Sequence, residues 1–292
     1  YKLAAKKTND PDAWNILGFT YECSILYNWY GKAKAFKKAE KCYERAIKQK
    51  HALAYYNLGR LWLYDFLETR DPLKAINNYI ESAKLGNIKA SYEIGKLYIK
   101  GDKYVPKNIE KGVQILKDAA KVGYPVAICF LGEYYYERKD FRQAKEYFEI
   151  FSPQQNTRAN FYLGLMYYNG DGIEQNFGKA LEYFNISQND PNSFYFLAKM
   201  HEDGKGTEKN KKKAIEYYKK CIETKENISK VYYGKVWEYY TIKNDYYYHA
   251  YNNIGVLELL ENGDVDEASK YLWVALEYEH PCGKVNFAIL KY

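Results

Sequence analysis

The sequence has no long apolar segment. Its longest uncharged stretches, such as Ala159–Gly170, fall well short of the roughly 20 apolar residues that a membrane-spanning helix needs. We therefore expect no membrane span. Hydrophobic residues make up 47% of the chain and charged residues 28%, a balance that indicates a folded protein and argues against disorder.

Cysteine and histidine are scarce and irregularly placed. The cysteines are odd in number and fit neither a disulfide framework nor a zinc-ligand pattern. We interpret all five as small buried thiols: Cys23, Cys42, Cys129, Cys221 and Cys282. None of the four histidines has the HExxH spacing of metalloproteases or an obvious nucleophile partner. We therefore expect no catalytic residue, no metal and no cofactor.

The charge is not strongly of one sign. A formal charge of +7 is modest for 292 residues, and it favours an acidic partner without requiring one. A nucleic-acid ligand would want a continuous basic track with stacking aromatic residues. We interpret the lysine run at residues 209–213 as a solvated helix face instead. Because the sequence opens at Tyr1 and not at methionine, its compartment stays open, and we expect a soluble protein, cytoplasmic or periplasmic if bacterial.

What the sequence does contain is an internal repeat. One small residue, the anchor, recurs at intervals of 32 to 41 residues as far as Gly234, which is the period of helix-pair repeats. The anchors are Gly18, Gly59, Gly95, Gly132, Gly164, Ala198, Gly234 and Gly255. Small residues stand five positions before each anchor, and aromatic residues stand three positions after most of them. Positions −5, −1 and +3 lie four apart, so they share one face of a helix.

A second set of small residues marks a second helix in each unit. Its members are Ala39, Ala75, Gly112, Ala144, Ala180, Ala214 and Ala268. A large residue follows each of them four positions later: Tyr43, Tyr79, Leu116, Phe148, Phe184, Tyr218 and Leu272. Since small residues let helix axes approach and a large neighbour fills the groove beside them, we expect the two helices of each unit to pack through these positions.

Two segments resemble the Sel1-like branch of the tetratricopeptide superfamily. Residues 159–180 read ANFYLGLMYYNGDGIEQNFGKA, and residues 193–214 carry the loop EDGKGTEKNKKKA. Gly170, Gly172, Gly204, Gly206 and Gly101 match the family's G-x-G loop, although the loop at Gly101 has lost its second glycine. The resemblance covers nearly the whole chain. It implies an all-α fold, an α/α solenoid in which antiparallel helix pairs form a right-handed superhelix.

The organisation that we expect is one repeat array over residues 1–292, with about seven to eight helix pairs. The interval between anchors falls to 21 residues after Gly234, which indicates a register break near residues 227–248. A capping helix is expected at residues 281–292. The aromatic cluster at residues 232–251 is interpreted either as core for an irregular corner or as a contact for a homo-oligomer.

In the related tetratricopeptide family, positions −3, +1, +4 and +5 of the first helices line a concave groove. The resemblance implies a groove made of Tyr56, Arg60, Tyr64, Tyr92, Lys96, Tyr136, Phe161, Tyr168, Tyr195, Lys199, Lys235 and Tyr239. Aromatic rings with interspersed cations suit an extended segment that bears carboxylates. The alternative is that many of these tyrosines only pack against neighbouring first helices.

The resemblance implies a scaffold or adaptor that binds a protein partner, and not an enzyme. One alternative is a bacterial immunity protein that neutralises a secreted toxin. An alternative of another class is a cell-wall-related hydrolase, because some cysteine-rich Sel1-like proteins have been discussed as binding cell-wall-like ligands. The regularly spaced cysteine pairs of those proteins are missing from this sequence.

Overall fold

The computed structural model describes residues 2–27, 31–63, 70–102, 104–150, 156–231, 246–277 and 286–287. Within these ranges the regular structure is helical and no strand occurs, which confirms the all-α fold class. The chain divides into two compact units, residues 1–131 and residues 132–292. They are called unit 1 and unit 2 and are described separately.

Helices follow one another with short connections. Unit 1 contains α1 (Lys2–Thr8), α2 (Pro11–Tyr27), α3 (Lys32–Ile47), α4 (Ala52–Leu61), α5 (Pro72–Lys84), α6 (Ile88–Lys100) and α7 (Ile109–Lys121). The division between the units falls within α8 (Pro125–Glu137). Unit 2 continues with α9 (Phe141–Glu149), α10 (Thr157–Asn169), α11 (Phe177–Ile186), α12 (Pro191–Asp203), α13 (Lys211–Val231), α14 (Tyr247–Asn262) and α15 (Val265–Glu277).

Helix boundaries follow from local chemistry. Short polar side chains accept hydrogen bonds from the free N–H groups of the first turn: Asp71 Oδ1 accepts from Lys74 N at 3.0 Å, and Asn176 Oδ1 accepts from Lys179 N at 2.9 Å. At the other end, α10 stops at Gly170, whose φ of 79° lies in the left-handed region that favours glycine. Caps of this kind mark the ends of these helices in the local sequence.

The two helices of a pair meet at the predicted positions. A Cβ atom added at Gly18 would lie 2.7 Å from the ring of Tyr43, and one added at Gly164 would lie 2.8 Å from the ring of Phe184. The same contact joins Gly59 to Tyr79, Gly95 to Leu116, Gly132 to Phe148 and Gly255 to Leu272. Only a residue without a side chain allows so close an approach, and the packing expected from the repeat is thereby confirmed.

Each long loop of the repeat contacts the start of the preceding second helix. A Cβ atom at Gly172 would lie 2.4 Å from Cβ of Phe141, the first residue of α9. Gly206 lies in the same way against Phe177, the first residue of α11. In unit 1, where the second glycine is missing, the loop after α6 instead places Asp102 Oδ2 2.7 Å from Arg70 Nη2, two residues before α5. Either a glycine contact or an ion pair therefore joins the loop to the beginning of the preceding second helix.

The expected register break coincides with a long second helix. Helix α13 runs for 21 residues, as far as Val231, and α14 packs against both α12 and α13. The anchor Gly234 lies outside the described residues. Of the capping helix expected at residues 281–292, two residues are described, and both are helical. Asn286 Nδ2 donates to Asn252 Oδ1 of α14 at 2.8 Å.

Three of the cysteines predicted to be buried are buried thiols: Cys42, Cys129 and Cys221. Cys23 is half-buried, and Cys282 lies outside the described residues. Within the described ranges, every helix is too short or too polar to cross a bilayer.

Candidate functional site

We define the first-helix face by positions −3, +1, +4 and +5 around each anchor. At the start of unit 1, two of these positions hold an ion pair whose carboxylate is buried. Glu22 of α2 has a fully buried carboxylate. It accepts a hydrogen bond from the Tyr43 hydroxyl at 2.6 Å, and Arg60 Nη2 donates to its two oxygens at 2.8 and 2.9 Å. Arg60, a predicted groove cation, therefore compensates an internal charge.

Further along unit 1 the predicted tyrosines pack against other rings. Tyr56 lies 5.7 Å from the ring of Tyr79, and burial raises the pKa of Tyr56 to about 12. Tyr92 is only 4% exposed and contacts the edges of Tyr124 and Phe130. Its side chain is part of the core.

Lys96 follows the same trend as Arg60. Its Nζ atom lies 3.3 Å from a carboxylate oxygen of Glu93 and 5.2 Å from the centre of the Tyr92 ring. Lys96 retains 24% of its side-chain exposure. The cations predicted for the groove of unit 1 are thus paired with carboxylates of the same chain.

In unit 2 three half-buried tyrosines lie on the first-helix face, and each rests on other rings. Tyr136 contacts the edges of Phe141 and Tyr162 at 5.4 and 5.2 Å between centroids. Its hydroxyl donates to Asp171, and burial raises the pKa of Tyr136 well above the usual value. These contacts hold the ring in one orientation.

Tyr168 and Tyr195 are supported in the same manner. The ring of Tyr168 lies 5.6 Å from Phe177 and 5.2 Å from Phe196. Tyr195 stacks on Tyr246 at 4.7 Å and contacts Tyr218 at 5.6 Å.

The other predicted site residues have mixed positions. Phe161 is 1% exposed and belongs to the core. Lys199 keeps 26% of its side-chain exposure and lies 3.3 Å from Glu202 and 3.5 Å from Asp203. Tyr64, Lys235 and Tyr239 lie outside the described residues, as do Tyr232, Tyr233, Trp237 and Tyr240 of the aromatic cluster.

The described members of that cluster pack within unit 2. Tyr246 stacks on Tyr195, and the hydroxyls of Tyr247 and Tyr251 each donate to Glu226 at 3.2 Å. A homo-oligomer contact through the cluster stays a prediction.

Sequence reasoning missed the buried acids of this face. In unit 2, Arg158 Nη2 donates to Glu133 Oε2 at 2.6 Å. Asp190 caps α12 by accepting from Asn192 N at 2.8 Å. Burial raises the pKa of Glu133 to about 7 and that of Asp190 to about 6, although the nearby Arg158 guanidinium acts in the opposite direction on both.

Two acids at anchor +4 positions can be recognised from the sequence. Glu22 and Glu202 both stand four positions after an anchor, and the tyrosine hydroxyls of Tyr43 and Tyr218 donate to them at 2.6 Å each. Both tyrosines stand four positions after the small residue of the second helix. Where that large residue is Leu or Phe, the anchor +4 position is Ile, Leu or Tyr. A tyrosine in the second helix together with a glutamate in the first thus marks a hydroxyl–carboxylate pair.

The described residues of the face include aromatic rings, lysines and carboxylates. His201, which the sequence assigned to packing, is buried and stacks on Tyr217 with 5.5 Å between ring centroids. Over the described ranges, no group of three His, Cys, Asp or Glu side chains is placed to hold a metal ion. Tyrosine is among the residue types that are enriched in protein-binding surfaces.

Comparison with known proteins agrees with the repeat. The Sel1 repeat family matches residues 21–51, 52–87, 88–124, 125–151, 157–187 and 194–222, which is well over half of the chain. Sel1 repeats generally mediate protein–protein interactions, and their fold is typically a non-catalytic scaffold.

Solved structures share the fold at low sequence identity. The crystal structure of c5321, a protective antigen present in uropathogenic Escherichia coli strains, is 20% identical with a TM-score of 0.65, covering 99% of this chain and 66% of that one. A Sel1 repeat protein from Oxalobacter formigenes is also 20% identical, with a TM-score of 0.59, over 88% of this chain and 96% of that one.

Among curated proteins, the chitin synthase regulator Skt5 of Saccharomyces cerevisiae is 26% identical over 201 residues. The alignment covers 63% of this chain and 28% of the yeast protein. The chain thus spans less than a third of the length of that relative.

Proposed function

Because the chain belongs to the Sel1 repeat family, we propose that it is a protein-interaction scaffold that binds an extended segment of another protein on the first-helix face of unit 2. The observation that carries this proposal is the row of Tyr136, Tyr168 and Tyr195, each half-buried and each fixed by rings beneath it. Rings that are already ordered lose little conformational freedom when a partner stacks on them.

Charged groups beside the row provide polar contacts for the segment. Lys205 lies 5.6 Å from the centre of the Tyr168 ring and 3.2 Å from Asp203, with 43% of its side chain exposed. A partner carboxylate can approach Lys205, while partner backbone N–H groups can donate to Asp171 and Asp203. An extended segment leaves its backbone N–H groups free to donate, whereas a helix satisfies its own backbone.

Site-specific crosslinking tests the location. A photoreactive phenylalanine analogue is placed at Tyr168 in the full chain, and a matched variant carries it at Arg142 of α9, whose side chain is 90% exposed. We expect irradiation in the native cell to link one protein to position 168 and not to position 142. Products formed equally from both positions would contradict the proposed face.

Affinity then tests the energetics. With the crosslinked partner purified, Tyr168→Ala should weaken binding by about tenfold or more, because anchoring aromatic residues dominate interfaces. Arg142→Ala should leave the affinity unchanged. Circular dichroism of both variants shows whether helicity is retained, and equal affinities for folded variants would overturn the role of the tyrosine row.

The two alternatives drawn from the sequence predict different results. An immunity protein would bind one secreted toxin and abolish its activity in a growth assay. A cell-wall-related hydrolase would release product from peptidoglycan fragments in the absence of any partner. Each outcome is measurable with the same purified chain.

A further inference from the structure

The outer surface of α3 carries a second feature, independent of the tyrosine row. Its cations recur three or four residues apart, so they share one side of the helix. We call them the α3 row: Lys34, Lys37, Lys38, Lys41, Arg45 and Lys48. All six are exposed, while the opposite side of α3 is buried through Phe36, Ala39, Tyr43 and Ala46. The row covers about 21 Å at the helical rise of about 1.5 Å per residue.

Charge is concentrated in this part of the chain. Residues 1–50 contain 11 lysines and arginines against five acidic residues, an excess of six, whereas the longer stretch of residues 51–131 contains 12 against eight, an excess of four. Residues 132–292 contain 21 basic and 24 acidic residues. The positive field of the protein therefore originates near the α3 row and α1.

The cations of the α3 row differ from those of the first-helix face. Arg60, Lys96 and Lys199 each contact a carboxylate of the same chain within 3.5 Å. Within the described part of the chain, Lys34, Lys38 and Lys48 make no ion pair at 4.0 Å or less, whereas the charges of Lys37 and Lys41 act on Glu40 of the same helix. Lysines without an internal acid gain most from an external one.

Two cations of the row lie over aromatic rings of α2. Arg45 lies over the ring of Trp14 at 4.3 Å, and Lys38 lies over the ring of Tyr21 at 5.2 Å. Trp14 is 4% exposed, so its ring supports the guanidinium from below and has no free face for a base. Nucleic-acid tracks combine cations with accessible stacking rings, and this pairing favours a carboxylate ligand.

We propose that the α3 row is a docking surface for an acidic segment of another protein, distinct from the tyrosine row. The segment would place about four carboxylates over about 21 Å, which an extended chain of about six residues spans at roughly 3.3 Å per residue. Attraction between the two charge rows would raise the association rate and make binding sensitive to salt.

The test uses a fluorescein-labelled 12-residue peptide rich in glutamate, with a glutamine copy and a 12-nucleotide single-stranded DNA as comparison probes. The row variant is Lys34→Glu/Lys41→Glu/Lys48→Glu. The matched control is Lys84→Glu/Lys121→Glu/Arg142→Glu, which changes the net charge equally at exposed positions of α5, α7 and α9.

We expect fluorescence anisotropy to show binding of the glutamate peptide and none of the glutamine copy. The row variant should weaken binding by about tenfold or more, and the control variant by less than about threefold. If both variants lost the same affinity for the glutamate peptide, net charge alone would explain binding, and the proposal would be overturned. DNA binding tighter than peptide binding, or salt-dependent self-association that the row variant abolishes, would overturn it as well.

This experiment does not depend on the proposed function of unit 2. Loss of peptide binding in the row variant with intact crosslinking at position 168 would leave both surfaces standing. Folding of the row variant is checked by circular dichroism, and a Lys→Gln version at the same three positions should give a smaller loss in the same direction.

Discussion

The first-helix face of unit 1 begins with a buried ion pair, whereas that of unit 2 carries a row of half-buried tyrosine rings. The carboxylate of Glu22 is fully buried under Arg60 and Tyr43. The anchor +4 positions of α8 and α10 carry Tyr136 and Tyr168, both half-buried. The same repeat position therefore carries either a buried acid or a half-buried ring. If the tyrosine row binds a partner as proposed, the residue at anchor +4 decides which helix pairs take part.

The largest test of this comparison substitutes the anchor +1 cation in each unit. Arg60→Met leaves the Glu22 carboxylate buried without its guanidinium, and we expect a loss of about 3 to 5 kcal/mol in the free energy of unfolding. Lys199→Met should cost less than about 1 kcal/mol, because both members of the Lys199–Glu202 pair are about a quarter exposed. Urea denaturation measures both. The double variant Glu22→Gln/Arg60→Met should recover part of the loss, and similar losses for Arg60→Met and Lys199→Met would remove the difference between the units.

A second test compares two anchors. Gly59→Ala would place Cβ 2.8 Å from the Tyr79 ring and 2.9 Å from the backbone oxygen of Ala75, whereas the three atoms nearest to a Cβ at Gly164 all belong to the ring of Phe184. Since backbone moves less readily than a side chain, we expect about 2 to 3 kcal/mol for Gly59→Ala and about 1 to 2 kcal/mol for Gly164→Ala. Gly178→Ala, whose Cβ meets only Asn176 Oδ1 at 3.3 Å, is the control and should be near neutral. A larger effect at Gly178 than at Gly59 would show that close helix packing is not what the anchors provide.

A third test removes one hydroxyl from each hydroxyl–carboxylate pair. Tyr43→Phe should lower the free energy of unfolding by about 2 kcal/mol, because the buried Glu22 carboxylate loses a charge-assisted hydrogen bond. Tyr218→Phe should cost about 1 kcal/mol, since Glu202 is 24% exposed and stays near Lys199. Thermal or urea unfolding at one pH gives both numbers. The reverse order would mean that burial of the acid does not set the strength of the pair.

The last test follows the free energy of unfolding against pH and concerns Asp190. Its pKa of about 6 in the folded protein is above the usual 3.8, so the folded state binds this proton more tightly than the unfolded state. The contribution of Asp190 to stability is therefore full below about pH 4 and is lost as the pH rises through about 6. Asp190→Asn keeps a side chain that caps helices well and removes the charge.

We expect Asp190→Asn to match the wild type near pH 4 and to be more stable by about 1 to 3 kcal/mol near pH 8. Asp71→Asn, at the cap of α5 in unit 1, has a carboxylate that is 34% exposed and should change stability little at either pH. Urea unfolding of both variants at the two pH values measures this. A constant difference for Asp190→Asn across the range would contradict the assigned cause.

The fold could be predicted from the sequence because its signals are local and periodic. Small residues such as Gly18 and Ala39 recur in phase with the large residues that pack on them, and the structure joins those positions. The buried position of Tyr92 could not be found in this way. Position −3 was assigned to the groove, but Tyr124, from the connection before α8, and Phe130 cover its ring.

The candidate site was harder to predict than the fold because it depends on pairs that lie far apart in sequence. Arg60 and Glu22 are 38 residues apart, and no spacing rule tells an exposed cation from one that neutralises a buried acid. The tyrosines of the unit 2 row were predicted from their repeat positions, whereas the rings that support them come from neighbouring helices. Whether this row binds a partner stays a prediction.

The loop contacts have a consequence for building new arrays from this chain. Gly172 abuts Phe141 and Gly206 abuts Phe177, so each loop is fitted to the helix before it and not only to the pair that it connects. A repeat excised at the boundary of its helix pair would lose the contact between its loop and the first residue of the preceding second helix. The smallest portable module is therefore a pair together with the opening turn of its upstream neighbour, and chimaeras that respect this border should assemble more reliably than those that do not.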